Sequence, residues 1–281
     1  MVFEDIIPLY VVGGEGGDAV GKSFAEIAKE REEFVAMSNE IVRGGHFDLT
    51  AQQLKIILYI ISKIKPDDDV DTWYTIEIVD LCRCCGIKLT GSTYYTRLKA
   101  DLKKLTFRKW YPVPNSADEY SLSWLGDVKL SKGSGTVTII FNPFMGPYLF
   151  QLKENYTQYE LLRILTFESK YSIRLYMLLK SYIYLDKLKK NIPQQVTLDV
   201  DWLRNSFVPK GYEDWRDFSK RILYVGIEEI NEKSDEFHIE METIKDRKNN
   251  RIEKVKFILT PATTEQTDTA RKIRKEKLKD E

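Results

Sequence analysis

The spacing of apolar residues constrains the fold most strongly, because it changes from helical to strand-like twice along the 281-residue chain. Apolar residues first recur every three or four positions, as on one face of a helix: Leu54, Ile57, Leu58, Ile61 and Ile64. Val137, Ile139 and Phe141 then recur at every second position, as on one side of a strand. Because the change occurs again before residue 260, both halves are predicted to combine helices with a β-hairpin in an α+β chain.

The first half contains the elements in a defined order. Thr50 is placed to cap the first helix, and Pro66 lies just beyond its end. We then predict a strand over Trp73–Ile76, a short helix over Val79–Cys85, a second helix starting at Gly91-Ser92-Thr93, and a hairpin over residues 120–141. Helix, strand, helix, helix and hairpin is the winged helix-turn-helix plan, in which the helix before the hairpin enters the DNA major groove.

The second half repeats this order. We predict a helix over Lys170–Tyr184, a strand over Gln195–Val200, a short helix near 202–206, a long helix over Glu213–Asn231, and strands over 236–244 and 252–259. Thr75–Leu81 and Thr197–Leu203 also share Thr, an aliphatic residue, an acid, an aliphatic residue and Leu at identical spacing. The sequence therefore predicts two tandem winged-helix domains, 34–150 and 151–260, between a flexible leader over 1–33 and a charged tail over 261–281.

Charge is distributed unevenly, although 43 basic and 43 acidic residues give a net charge of zero. Residues 1–40 contain nine acids and three bases, a net charge of −6, so the rest of the chain carries +6. No stretch approaches the roughly 20 apolar residues that span a bilayer, and we expect no membrane association. The three clustered cysteines are a poor disulfide framework, which favours a cytoplasmic protein.

Basic residues cluster on the helix before each predicted hairpin. In the first domain they are interleaved with hydroxyl groups, and a solvated surface is the alternative interpretation. The predicted DNA-contacting residues of this helix are Ser92, Thr93, Thr96, Arg97, Lys99 and Lys103. Those of the second domain are Tyr212, Trp215, Arg216, Ser219, Lys220 and Arg221 on its helix, and Arg247, Lys248 and Arg251 at its hairpin tip. Arg216 is the best candidate for base readout, because a guanidinium pairs bidentately with guanine.

Two other kinds of site were weighed. The sequence from Gly16 through Gly21 to Lys22 and Ser23 matches the phosphate loop of nucleotide-binding proteins. The elements that follow lack the parallel sheet and the second acidic magnesium ligand that such a site needs, so nucleotide binding is the less favoured alternative. Cys82, Cys84 and Cys85 lie far in sequence from the two histidines, so no metal site is predicted. We expect no cofactor and no catalytic centre.

Several segments carry a resemblance to a known family. They are Val35–Val42 with the helix that follows, Lys170–Lys180 with its Ser-Ile-Arg-Leu-Tyr sequence, and Asp217–Leu223 leading into Glu228–Asn231. On these residues, roughly over 34–260, the chain resembles the iteron-binding plasmid replication initiators, the RepB/RepE-type Rep proteins with two winged-helix domains.

The resemblance implies a protein without catalysis of its own. It would bind direct repeats in double-stranded origin DNA, promote opening of the adjacent duplex, and recruit the host helicase and other replication proteins. It also implies a monomer–homodimer equilibrium. Monomers would bind origin repeats, mainly through the second domain, and dimers formed through the first domain would repress the protein's own promoter. A purely transcriptional repressor with the same fold is the alternative. The leader departs from the family.

Overall fold

The structure is a computed structural model that describes residues 34–44, 48–89, 93–107, 109–112, 119–131, 133–207 and 212–279. The leader lies outside the described residues, and with it the phosphate-loop-like sequence. Ser92 also lies outside them.

The first winged helix begins with α2 (Ala51–Ile61), after a short helix α1 (Asn39–Gly44). Thr50 caps α2 as predicted. Its hydroxyl accepts a hydrogen bond from the Gln53 backbone N–H, and the Gln53 side chain accepts one from the Thr50 N–H. The chain continues through β2 (Trp73–Glu77), α3 (Ile78–Cys84), α4 (Thr93–Leu105) and the hairpin β5 (Leu125–Ser131) and β6 (Thr136–Phe141). The sheet order is β2-β6-β5.

The second winged helix has the same element order and an equivalent sheet. It consists of α7 (Lys170–Lys180), β8 (Gln194–Asp199), α9 (Val200–Phe207), α10 (Trp215–Phe218) continuing into α11 (Tyr224–Lys233), and the hairpin β9 (Phe237–Lys245) and β10 (Ile252–Pro261). Its sheet order is β8-β10-β9. Thr75 and Thr197 each lie in the first strand, three residues before the next helix begins. The repeated heptapeptide thus occupies the same place in both domains.

Four elements differ from the sequence-based predictions. The first helix of the second domain ends at Lys180, before the predicted Tyr184. The long helix begins at Trp215 and contains a π-helical turn, Ser219–Leu223, between α10 and α11. The hairpin of the first domain begins at Leu125, because the residues before it pair in a separate ribbon of β3 (Lys109–Pro112) with β4 (Glu119–Leu122). The segment predicted only as a charged tail contains the helix α12 (Thr264–Lys279).

The two domains are joined by a ribbon and by a continuous core. β1 (Phe34–Ser38) pairs antiparallel with β7 (Tyr156–Glu160), so the proposed division near residue 150 is bridged by main-chain hydrogen bonds. The short helix α5 (Gly146–Leu149) precedes β7, and α6 (Leu161–Thr166) and α7 follow it. The short helix α8 (Leu185–Lys189) comes after α7. The buried apolar residues of both domains form one cluster.

Arginine side chains reinforce this junction. Arg43 of α1 donates to the Ser181 hydroxyl over 3.1 Å, and its guanidinium lies 4.0 Å above the Tyr182 ring. Arg174, in the Ser-Ile-Arg-Leu-Tyr segment of α7, is buried and donates to the Val42 carbonyl over 3.5 Å. That part of the resemblance therefore lies where the helices of the two domains meet.

A buried ionic network underlies the C-terminal helix. The Arg163 guanidinium contacts Glu160 at 2.8 Å, Asp235 at 2.6 Å and Glu236 at 2.7 Å, and the Lys180 ammonium contacts Glu236 at 2.7 Å. Burial opposes ionisation of the Glu236 carboxyl, but Lys180 and Arg163 outweigh it and hold the pKa below its ordinary value. The network links α6, α7 and the turn before β9.

Candidate nucleic-acid interface

The recognition helix of the first domain, α4, separates its residues onto two faces. Leu98, Leu102 and Leu105 are buried against the domain core. The described DNA-contacting candidates all lie on the exposed side: Thr93, Thr96, Arg97, Lys99 and Lys103. A leucine stripe opposite a row of cations and hydroxyls gives this helix a face that suits a phosphate backbone.

The recognition helix of the second domain begins at a capped turn. The Asp214 carboxylate accepts a hydrogen bond from the Arg216 backbone N–H over 2.7 Å, which fixes the start of α10. Arg216, Lys220 and Arg221 are exposed, whereas Phe218 is buried beneath them. Arg221 lies 3.6 Å from the exposed Asp217 carboxylate. An exposed guanidinium in the first turn of this helix is well placed to reach a base edge.

Two aromatic candidates support this helix from its side. Tyr212 and Trp215 are both half-buried and pack against the core cluster. The Trp215 ring lies 6.2 Å from the ring of Phe218. Tyr212 also has a left-handed backbone, with φ of 54°. We infer that both residues mainly position the start of the recognition helix.

Ser219 does not fit its predicted role. It is 6% exposed, and its hydroxyl donates to the Arg216 carbonyl over 3.2 Å. The residue lies on the inner side of the helix where the π-helical turn begins, so its side chain is directed at the protein. Direct contact between Ser219 and DNA is not compatible with this burial.

Two exposed apolar residues on the same helix were not among the predicted contacts. Tyr224 is 46% exposed and Val225 is 39% exposed. Tyr224 follows Arg216 and Lys220 at intervals of four residues. Val225 follows Asp217 and Arg221 in the same way, so both continue the exposed side of the helix. That spacing was visible in the sequence. Apolar side chains on a recognition helix can contact thymine methyl groups.

The hairpin tip between β9 and β10 presents three cations, as predicted. Arg247, Lys248 and Arg251 are all exposed. The Asp246 carboxylate accepts from the Lys248 N–H over 2.9 Å, and the Asn249 side chain accepts from the Arg251 N–H over 2.9 Å. These two local hydrogen bonds order the turn, so the tip of the wing has a defined conformation.

The cysteines have the environment expected of structural residues. Cys82 and Cys85 are buried and Cys84 is half-buried, and burial raises the pKa of the Cys82 thiol to about 11. Within the described part of the chain, no group of three or more His, Cys, Asp or Glu residues could hold a metal ion. The same residues include no helix long and apolar enough to cross a bilayer.

Two family models match this chain. Residues 34–180 match the family described as "Initiator Replication protein, WH1", and residues 199–259 match "Initiator Rep protein, WH2". The chain also resembles a solved structure described as "Crystal structure of Pi initiator protein in complex with iteron DNA". The TM-score is 0.64 at 19% identity, over 82% of this chain and 98% of that chain, a likeness that establishes a shared fold.

These matches confirm the predicted α+β fold, its two tandem winged-helix domains, and the resemblance drawn from the sequence. The WH1 match alone spans more than half of the chain. The chain therefore belongs to the family of initiator replication proteins, the Rep initiators with two winged-helix domains.

Proposed function

We propose that this protein initiates plasmid replication by binding direct repeats, or iterons, in its origin through both winged helices. The observation that carries the proposal is the pair of exposed basic recognition helices, one in each domain of a chain from the initiator family. The Pi initiator protein, which shares this fold, has been solved in complex with iteron DNA. The DNA-contacting set comprises Thr93, Thr96, Arg97, Lys99, Lys103, Arg216, Lys220, Arg221, Arg247, Lys248 and Arg251, with Ser92 retained at the start of α4.

The two kinds of contact have separate tasks. Lysine and arginine contacts to phosphates fix the position of the protein, and contacts to base edges select the repeat. Arg216 reads a base, while Tyr224 and Val225 favour thymine at neighbouring positions. Binding of several copies would then promote opening of the adjacent duplex. The protein supplies no chemistry of its own, takes no cofactor, and recruits the host helicase and other replication proteins in the cytoplasm.

A monomer–homodimer equilibrium completes the proposal. Monomers bind origin repeats through both domains, and dimers formed through the first domain repress the protein's own promoter. A transcriptional repressor with the same fold is the second candidate, because the recognition helices would serve an operator equally well. The two candidates differ in the DNA that they prefer: direct repeats for an initiator, and an inverted repeat alone for a repressor.

The test is a salt-titrated binding assay of the full chain on three duplexes, carrying direct repeats, an inverted repeat and scrambled sequence from the region flanking its gene. We expect the direct repeats to bind at least 10³-fold more tightly than scrambled DNA, the lower end for specific recognition. Preference for the inverted repeat alone would favour the repressor. Equal binding to all three would reject both, and nucleotide turnover abolished by Lys22→Ala would then favour the phosphate-loop alternative.

A further inference from the structure

The C-terminal helix α12 lies beyond the residues that match the WH2 family. Its inner side is well anchored. Ala270 is fully buried, and the Gln266 amide donates to the carbonyls of Ser234 and Phe237 over 2.8 and 3.1 Å. The Arg274 guanidinium contacts Glu160 at 3.0 Å and also pairs with Asp235. The helix is thus a fixed part of the fold.

The outer side of α12 is basic after Ala270, where Glu276 is the single exposed acid among the described residues, whereas Glu265 and Asp268 are exposed before it. Residues 271–279 include six basic residues and one acid. Arg271, Lys272 and Lys275 are exposed, and packing of the helix uses other residues. We call these three residues the α12 basic face.

The α12 basic face lies at the end of the second domain away from the wing. β10 runs from Ile252, beside the wing, to Pro261, which pairs with Phe237. Ten strand residues at about 3.3 Å each separate the two ends by roughly 30 Å. Gln266 and Arg274 both contact residues within 234–237, so the helix stays at this end. A duplex held by the wing is therefore a poor partner for this face.

The leader joins the folded chain at the same end. Phe34 pairs with Glu160 in the β1–β7 ribbon, and the Glu160 carboxylate contacts Arg274 of α12. Residues 1–33 contain eight acids and three bases, and Glu26, Glu30, Glu32 and Glu33 lie within eight residues of Phe34. An acidic segment attached beside a basic surface has an effective concentration in the millimolar range.

We propose that the α12 basic face is the docking surface for the acidic end of this chain's own leader, Glu26–Glu33. The attraction is electrostatic and intramolecular, and it joins two segments that both lie outside the matched family ranges. It does not depend on the proposed origin binding, because it involves the opposite end of the second domain.

The proposal is tested by zero-length carbodiimide cross-linking of the full chain at low salt, which couples carboxylates to lysine amines in contact. A mixture of ¹⁴N- and ¹⁵N-labelled chains separates links within a chain from links between chains. We expect Glu26–Glu33 to couple to Lys272 and Lys275 of the same chain, and the links to disappear near 1 M salt, where the Debye length falls to about 3 Å. Lys187, Lys189 and Lys190 form an equally exposed control cluster, and we expect no links to them.

A charge swap provides the second measurement. Changing Lys272 and Lys275 to Glu should abolish the links, and adding Glu30→Lys, Glu32→Lys and Glu33→Lys should restore them with the charges reversed. Circular dichroism and the urea midpoint establish that each variant is folded. Links to the control cluster at equal yield, links only between chains, or no links at low salt would each overturn the proposal.

Discussion

The salt dependence of DNA binding should fall when the wing loses its cations. The proposed interface contains nine exposed cations: Arg97, Lys99, Lys103, Arg216, Lys220, Arg221, Arg247, Lys248 and Arg251. If each except the base-reading Arg216 neutralises one phosphate, the slope of log K against log salt is about −7, from about −0.9 per contact. Affinity should then fall by about 10⁴ between 50 and 200 mM salt.

Replacing Arg247, Lys248 and Arg251 with Ala removes three of these contacts. We expect the slope to change to about −4.5, and the loss of affinity over the same salt range to shrink to about 500-fold. The preference for specific over scrambled sequence should change little, since phosphate contacts carry no direct sequence information. Fluorescence anisotropy at several salt concentrations, with repeat and scrambled duplexes, measures both quantities.

The matched control is a triple Ala variant of Lys187, Lys189 and Lys190. These lysines are also exposed, and they follow α7 near the start of β8, at the end of the sheet away from the wing. Their loss should leave the slope unchanged. If the wing variant keeps the wild-type slope, or if both variants lower it equally, then the wing does not contact phosphate and our docking of the second domain is wrong.

The remaining predictions concern readout and stability. Arg216→Ala should cost about 1–3 kcal/mol on the cognate repeat and relax preference at one base pair, and Tyr224→Ala should weaken preference for thymine, both measurable with a panel of single-substituted repeats. Arg163→Met should lower the free energy of unfolding by about 3 kcal/mol, because it removes a buried cation shared by three carboxylates. Glu236 then keeps only Lys180, and Glu160 and Asp235 share Arg274. Lys256→Met, at an exposed pair, should cost under about 1 kcal/mol, and urea unfolding measures both variants. Because the folded-state pKa of Glu236 lies below its ordinary value of 4.5, its contribution to stability is present above that value and is lost as pH falls through the lowered pKa; a urea midpoint that does not fall on acidification would contradict this assignment.

Local patterns in the sequence predicted the elements and the exposed position of most candidate residues. Helical spacing and the Thr50 cap located α2, and strand alternation located β6, β9 and β10. These signals are local, because periodicity and capping depend on residues a few positions apart. The same spacing separated Lys99 and Lys103 from the buried leucines of α4, and it could have identified Tyr224 and Val225 as well.

Other features depended on residues distant in sequence. No local pattern in the sequence predicts the π-helical turn Ser219–Leu223. The sequence also left the structure of the tail undetermined, because the same charged composition suits an exposed helix and a helix packed on the domain. What fixes α12 is the contact of Arg274 with Glu160 and Asp235, 114 and 39 residues away.

The sequence by itself thus determined the element order, the two winged helices, and which cations are exposed. Only the tertiary structure decided that β1 pairs with β7, that Arg163 is buried among three carboxylates, and that the leader joins the chain beside a basic helix. The physical reason is the range of the interactions. The spacing of apolar residues shows which side of each helix or strand packs against the core. Pairing between distant segments depends instead on burial and on charge contacts that exist only once the chain has folded.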